Sequence, residues 1–322
     1  MPDATPLNTG PGNICPMRQH FNRHSMSSPD CRHVGVDELS GRISARWIEQ
    51  EVKKFIQSPQ NTLGADTAEP AWGAPLVGFS SGGDSLYGFY KKDIGDFYLS
   101  PMDIMAPELK GIKAGPEDLT VISWVLPHTE ATKAEMRMER CFPTQRWVRA
   151  RTFGEEVNEK LRRHLVQILG QEGILAVAPL HSPLYQRATS TRYGTVRTWS
   201  ERHAAYAGGL GTFGLSDGLI TAVGQAVRVG SVVAHTRIPA TGRPYTDHHE
   251  YCLYFRKGTC GKCIERCPIG AITKEGHNKE LCRRYINIMR EYVKRHLGFE
   301  GFEGYGCGLC QTGVPCESGI PK

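Results

Sequence analysis

From Ile43 onward the apolar residues Ile43, Trp47, Ile48, Val52, Phe55 and Ile56 recur every three to four positions, which predicts a helix with one buried face. Residues 119–126 (Leu-Thr-Val-Ile-Ser-Trp-Val-Leu) run almost unbroken in apolar and β-branched types up to Pro127 and predict a buried strand. Helical spacing returns at Val157, Leu161, Leu165, Val166 and Leu169, for a helix over roughly 154–169 that Gly170 and Gly173 close. Residues 174–178 read as the next strand, so strand, helix and strand follow one another. That order predicts a parallel or mixed sheet in an α/β (α+β) fold. Two more strands are expected at 218–223 and 227–235. A last helix is expected over 281–297, with Tyr285, Ile288, Met289, Tyr292 and Val293 facing inward.

Composition divides this pattern. Residues 1–35 are rich in Pro, Asn, Ser and Gly and predict an irregular N-terminal arm carrying the isolated Cys15 and Cys31. Near 246 the chain turns to Cys, Lys, Arg and Gly. The expected organisation is therefore an arm at 1–35, an α/β domain at 36–245 and a cysteine-rich module at 246–322. Apolar residues make up 39% and charged residues 22%, as in a soluble globular protein. No apolar run approaches the roughly 18 residues that cross a bilayer, so no membrane role is expected.

Eight of the eleven cysteines lie at or beyond position 252. They read Cys252-x7-Cys260-x2-Cys263-x3-Cys267-Pro268, then Cys282, then Cys307-x2-Cys310-x5-Cys316. A Cys-x2-Cys-x3-Cys-Pro run followed by a second group is the pattern of a two-cluster ferredoxin, in which the last Cys of each run crosses to the other cluster. Applied to this chain, Cys252, Cys260, Cys263 and Cys316 would hold one [4Fe–4S] cluster, and Cys267, Cys282, Cys307 and Cys310 the other. The x7 gap departs from the usual x2 and implies a longer loop before the first cluster. Disulfides would suit a small secreted domain. Structural zinc would take paired Cys-x2-Cys knuckles. The Cys-Pro ending and the Pro-Ile-Gly-Ala-Ile after Cys267 fit ferredoxin turns better, and such thiolates suit a reducing cytoplasm.

The formal charge of +6 overstates the loaded protein. Eight thiolates against two cluster cores of roughly +2 each remove about four units and leave roughly +2, too little to argue for nucleic acid by field alone.

Gly209, Gly211 and Gly214 form a Gly-x-Gly-x-x-Gly. A dinucleotide fingerprint needs a strand before it and an acidic residue about 20 positions on. Here the preceding residues look helical, and no Asp or Glu falls between Asp217 and Asp247. What remains is backbone that can approach a flat partner closely, or that permits tight helix–strand packing.

The stretch from Glu201-Arg202-His203 through Tyr206 and the Ala-Gly-Gly-Leu-Gly-Thr-Phe-Gly run resembles the cobalamin-dependent epoxyqueuosine reductases and reductive dehalogenases, as do residues 228–233 and the eight cysteines. The resemblance is strong over about 195–322 and diffuse upstream. It implies a nitroreductase-like corrinoid-binding core fed by a C-terminal ferredoxin-like module. It also implies that Gly209, Gly211, Gly214, Ser216 and a Gly230-Ser231 turn contact the corrinoid. The base-on motif Asp-x-His-x-x-Gly is absent, with Asp247-His248-His249-Glu250 coming nearest, so the cobalamin would bind base-off. A dehalogenase-like proton donor would be a Tyr stabilised by a cation, for which Tyr193 or Tyr206 with Arg228 are the candidates. Epoxyqueuosine reductases carry an Asp six positions before the Glu-Arg pair, where this chain has Thr195.

The expected function is thus a reductase of a small molecule, with two [4Fe–4S] clusters and cobalamin and an external low-potential donor of ferredoxin or flavodoxin type. The alternatives are epoxyqueuosine reduction in tRNA, and electron transfer to a corrinoid without a substrate of its own.

Overall fold

The computed structural model describes residues 43–299 and 306–322; the expected arm at 1–35, with Cys15 and Cys31, lies outside the described residues. Helix α1 (Ala45–Gln57) starts where the Ser44 hydroxyl accepts the Trp47 N–H, and buries Ile48, Val52, Phe55 and Ile56, the face its periodicity predicts. Strand β1 (Leu76–Ser81) follows, then α2 (Ser85–Ile94), the short α3 (Pro101–Met105), and strand β2 (Thr120–Pro127), in which every residue is buried. Helix α4 (Glu130–Met138) leads to α5 (Gln145–Gln171), nine residues longer at its start than its apolar stripe suggests. The extension is capped by Thr144, which accepts the Trp147 N–H. Gly173, at φ 79°, turns the chain out of the helix into β3 (Ala176–Val177).

Two two-stranded ribbons come next: β4 (Arg187–Ser190) with β5 (Gly194–Arg197), and, after helix α6 (Glu201–Ala207), β6 (Gly211–Phe213) with β7 (Leu219–Thr221). Strand β8 (Val227–Ala234) then enters the middle of the main sheet, whose order is β1-β2-β8-β3. Every neighbouring pair is antiparallel. This corrects the parallel or mixed sheet. β2 and β3 do run the same way, as strand–helix–strand requires, but β8 comes between them and pairs with both.

The sheet separates two cores by strand alternation. Ile122, Trp124 and Leu126 of β2 and Val232 of β8 face α1 and α5 with Val157, Leu161 and Leu165. Val121 and Val125, with Val229 and Val233, face a second core of Tyr87, Tyr90, Tyr98, Trp199 and Ala204. The class is mixed α/β.

The cysteine-rich segment carries α7 (Leu253–Lys257), α8 (Lys262–Glu265), a small hairpin of β9 (Ile272–Thr273) and β10 (Gly276–His277), and α9 (Lys279–Leu297). Tyr285, Met289 and Val293 of α9 are buried as expected, with Met289 and Val293 against Val148 of α5. Ile288, expected inward, is 54% exposed. It sits off the Tyr285–Met289–Val293 line, and among the described residues no element covers it. Arg266 ties the segment to the body: its guanidinium donates to the carbonyls of Leu309, Thr312, Met136 and Glu139. Among the described residues no helix is long and apolar enough to cross a membrane.

Candidate cofactor and substrate site

Gln225 sits at the start of β8 and fastens the last cysteine loop. Its backbone N–H donates to the Cys316 carbonyl at 2.8 Å and its side-chain amide to the Cys310 carbonyl at 2.9 Å. The eight C-terminal cysteines, brought together this way, are all free thiols. Burial and neighbouring thiols raise several of them. Burial and then Cys252 and Cys260 push the Cys263 thiol up to about 11; burial and then Cys263, Cys252 and Cys260 push Cys316 up to about 12. Cys282 is raised to about 11 by burial and then Cys307 and Cys267, and Cys310 well above the usual thiol range by burial and then Cys307, Cys282, Cys263 and Cys267.

Thiols gathered and desolvated in this way ionise together only where cationic charge is supplied among them. The donor set therefore fits a pair of iron–sulfur clusters. Among the described residues no three His, Cys, Asp or Glu side chains converge on a single ion. Instead Cys252, Cys260, Cys263 and Cys316 surround a pocket whose apolar wall includes Leu215, Ile220 and Val314.

Ser216 and Gly214 line that thiol pocket, and the Ser216 hydroxyl donates to Gln225 Oε1 at 3.2 Å. The other expected corrinoid contacts also meet protein. A Cβ on Gly211 would lie 2.2 Å from the Ile220 carbonyl oxygen, and one on Gly209, at φ 78°, 2.8 Å from that of Gly242. Gly230 and Ser231 are interior residues of β8 rather than a turn: Gly230 packs under the Trp124 indole, and Ser231 accepts from Trp199 Nε1 at 3.1 Å and donates to the Glu201 carboxylate. Packing thus accounts for these glycines on its own.

A network of charged residues links α5, α6 and β8, and Arg202 of α6, itself exposed, donates to the Asp217 carbonyl. Glu155 of α5 accepts from Arg228 Nε, and behind it the buried Arg162 reaches Glu155, Glu159 and Glu201 at 3.2, 3.1 and 3.4 Å. Burial outweighs these cations at Glu201, whose carboxyl is raised, whereas at Glu155 the arginines win and hold the carboxyl low. Arg202 also feels the Cys310 charge.

The expected tyrosine–cation pair is arranged differently. The Tyr193 hydroxyl donates to Asp93 at 2.6 Å, and burial with this carboxylate pushes its pKa up to about 12. Tyr206 is 8% exposed and packs on Tyr245 and Phe213. Among the described residues neither bonds Arg228. Tyr185 feels Arg228 weakly: burial raises its hydroxyl, Arg197 lowers it, Glu201 raises it and Arg228 lowers it, with the Arg197 guanidinium 5.3 Å from its ring centre. Nothing local in the sequence marks Tyr185.

No family model matches the chain. It is 27% identical over 124 residues to an epoxyqueuosine reductase of Bacillus anthracis, a match covering 38% of this chain and 30% of the relative. The match thus spans about a third of that protein's length. Solved structures similar to it include an epoxyqueuosine reductase with an epoxyqueuosine-modified tRNA-Tyr stem loop, at 15% identity and TM-score 0.42, covering 86% of this chain and 67% of that one. A catabolic reductive dehalogenase, NpRdhA, is similar at 14% identity and TM-score 0.43, covering 85% and 36%. The resemblance to epoxyqueuosine reductases expected from the motifs is borne out in the sequence match.

Proposed function

We propose that the chain is an iron–sulfur- and corrinoid-dependent reductase acting on a small molecule in a reducing compartment such as the cytoplasm. The observation that supports the proposal is the gathering of free C-terminal thiols, with Cys252, Cys260, Cys263 and Cys316 around one pocket. Cys252, Cys260, Cys263 and Cys316 would hold one [4Fe–4S] cluster and Cys267, Cys282, Cys307 and Cys310 the other. A base-off corrinoid would supply low-valent cobalt chemistry, with electrons from a ferredoxin- or flavodoxin-type donor. The chain's own residues orient and protonate. Glu155 holds the Arg228 guanidinium in place, and Tyr185, whose hydroxyl burial keeps protonated against the pull of Arg197 and Arg228, is the candidate donor to a reduced substrate.

The test is metal and spectral analysis of anaerobically purified protein with cobalamin added. About eight irons per chain with matching sulfide, and a corrinoid spectrum that changes on binding, is the expected result. Zinc in place of iron, or a corrinoid that passes through unbound, overturns it.

Epoxyqueuosine reduction in tRNA is a second reading, favoured by the sequence match to such an enzyme. Thr195 stands against it at the position where those reductases carry an acid. Turnover of epoxyqueuosine-containing tRNA separates the two readings.

A further inference from the structure

Helix α9 carries its cations outward. From Lys279 to Leu297 it holds six lysines and arginines against two acids, Glu280 and Glu291. With Tyr285, Met289 and Val293 buried, Arg284, Ile288, Glu291 and Arg295 form an exposed stripe, and Arg283 and Lys294 are exposed beside it. Glu280 lies 2.8 Å from Arg283 and 3.6 Å from Arg284, and Glu291 3.5 Å from Arg295, whereas Lys294 has no ion pair among the described residues. The two acids are thus shared along the helix itself and leave the face positive. Exposed pairs of this kind are weak, so a partner can compete for their cations.

Ile288 stands amid this charge, 54% exposed. An apolar centre with a polar rim is the anatomy of a protein–protein contact. The helix is about 28 Å long at 1.5 Å per residue, enough for the small footprint of a transient redox complex. Its first turn includes Cys282, and Ile288 follows about 9 Å further along the axis. A positive face steers an acidic protein towards it. The interleaved glutamates count against nucleic acid, whose phosphates gain from each cation and are repelled by each acid.

We infer that the exposed face of α9 docks an acidic one-electron carrier protein, with Ile288 at the centre and Arg284, Lys294 and Arg295 as steering charges. The inference rests on the iron–sulfur reading and deepens it by naming where the external donor lands. The step is a one-electron exchange: the carrier is oxidised, the cluster held in part by Cys282 is reduced, and no bond forms or breaks.

The experiment uses the anaerobically purified full chain with an acidic flavodoxin as probe, measuring binding by calorimetry and cluster reduction by stopped-flow absorbance. Wild type is expected to bind flavodoxin with an affinity that falls as salt is added. Arg284→Glu combined with Lys294→Glu should lower both affinity and reduction rate at least tenfold. Ile288→Ser, which keeps the charge, should weaken binding as well. Reduction by dithionite, which needs no docking, should keep the wild-type rate in every variant.

Flavodoxin that does not bind wild type, or that binds and reduces the variants equally well, overturns the docking face. A bacterial tRNA that loses affinity in the variants while flavodoxin is indifferent overturns it in favour of an RNA surface. Flavodoxin binding that is lost in the variants, in a chain found to hold no iron, would keep the face and remove the iron–sulfur reading. About eight irons, reduced by flavodoxin alike in all variants, would keep that reading and remove the face.

Discussion

Asp217 Oδ2 lies 3.1 Å from His277 Nδ1, which joins the β6–β7 connection of the α/β body to the β9–β10 hairpin between two cysteine groups. Asp217 is the only non-glycine residue at positive φ (58°) among those described, and its carbonyl accepts from Arg202 of α6. One residue therefore touches α6 through its backbone and the cysteine-rich segment through its carboxylate. Burial would raise that carboxyl, but His277 and then Lys279 hold it low.

The left-handed backbone sets the first prediction. Asn tolerates this conformation where Ala does not. Asp217→Asn is expected to stay within about 1 kcal/mol of wild type, and Asp217→Ala to lose about 1–2 kcal/mol more. Denaturant unfolding of both variants checks this; equal loss in the two would mean that the charge, not the backbone, dominates.

Gly211 offers a test of packing against ligand contact. An added methyl meets the Ile220 carbonyl across the β6–β7 ribbon, so Gly211→Ala should destabilise by about 1–3 kcal/mol even without any corrinoid present. A variant of unchanged stability that binds corrinoid poorly would reverse the assignment.

The crossover grouping of thiols predicts which substitutions share an effect. Cys267→Ser should spoil the same cluster signal as Cys282→Ser and spare the one lost in Cys263→Ser, each leaving about four of eight irons. Cys141, exposed and outside both groups, should be replaceable by Ser without iron loss. Electron paramagnetic resonance of the reduced variants reads this, and a Cys267→Ser spectrum matching Cys263→Ser would refute the grouping.

Proton supply separates the tyrosines. Tyr185→Phe is expected to lower turnover by about 100-fold with cluster content intact, the scale of a lost general acid. Tyr193→Phe, whose hydroxyl is committed to Asp93, should change it little. Steady-state rates with a chemical reductant decide between them; the opposite order would return the role to Tyr193.

Local rules made much of this protein legible. Helical periodicity located α1, α5 and α9, because an amphipathic stripe depends only on residues three and four apart. The long apolar run located β2, and the short cysteine spacings foretold thiols close to one another, as around the Cys252–Cys263–Cys316 pocket, since short loops leave neighbouring thiols few places to go. Other features were decided by contacts between residues far apart in the chain. β8 entered between β2 and β3 and made the sheet antiparallel, a choice of pairing that no single strand encodes. Gly209, Gly211 and Gly230 met backbone and indole rather than open space because segments distant in sequence close over them. Arg228 meets Glu155, and Arg162 meets Glu155 and Glu201, only because α5, α6 and β8 pack together. Charge in such a place depends on depth and neighbours, and those come from tertiary packing alone.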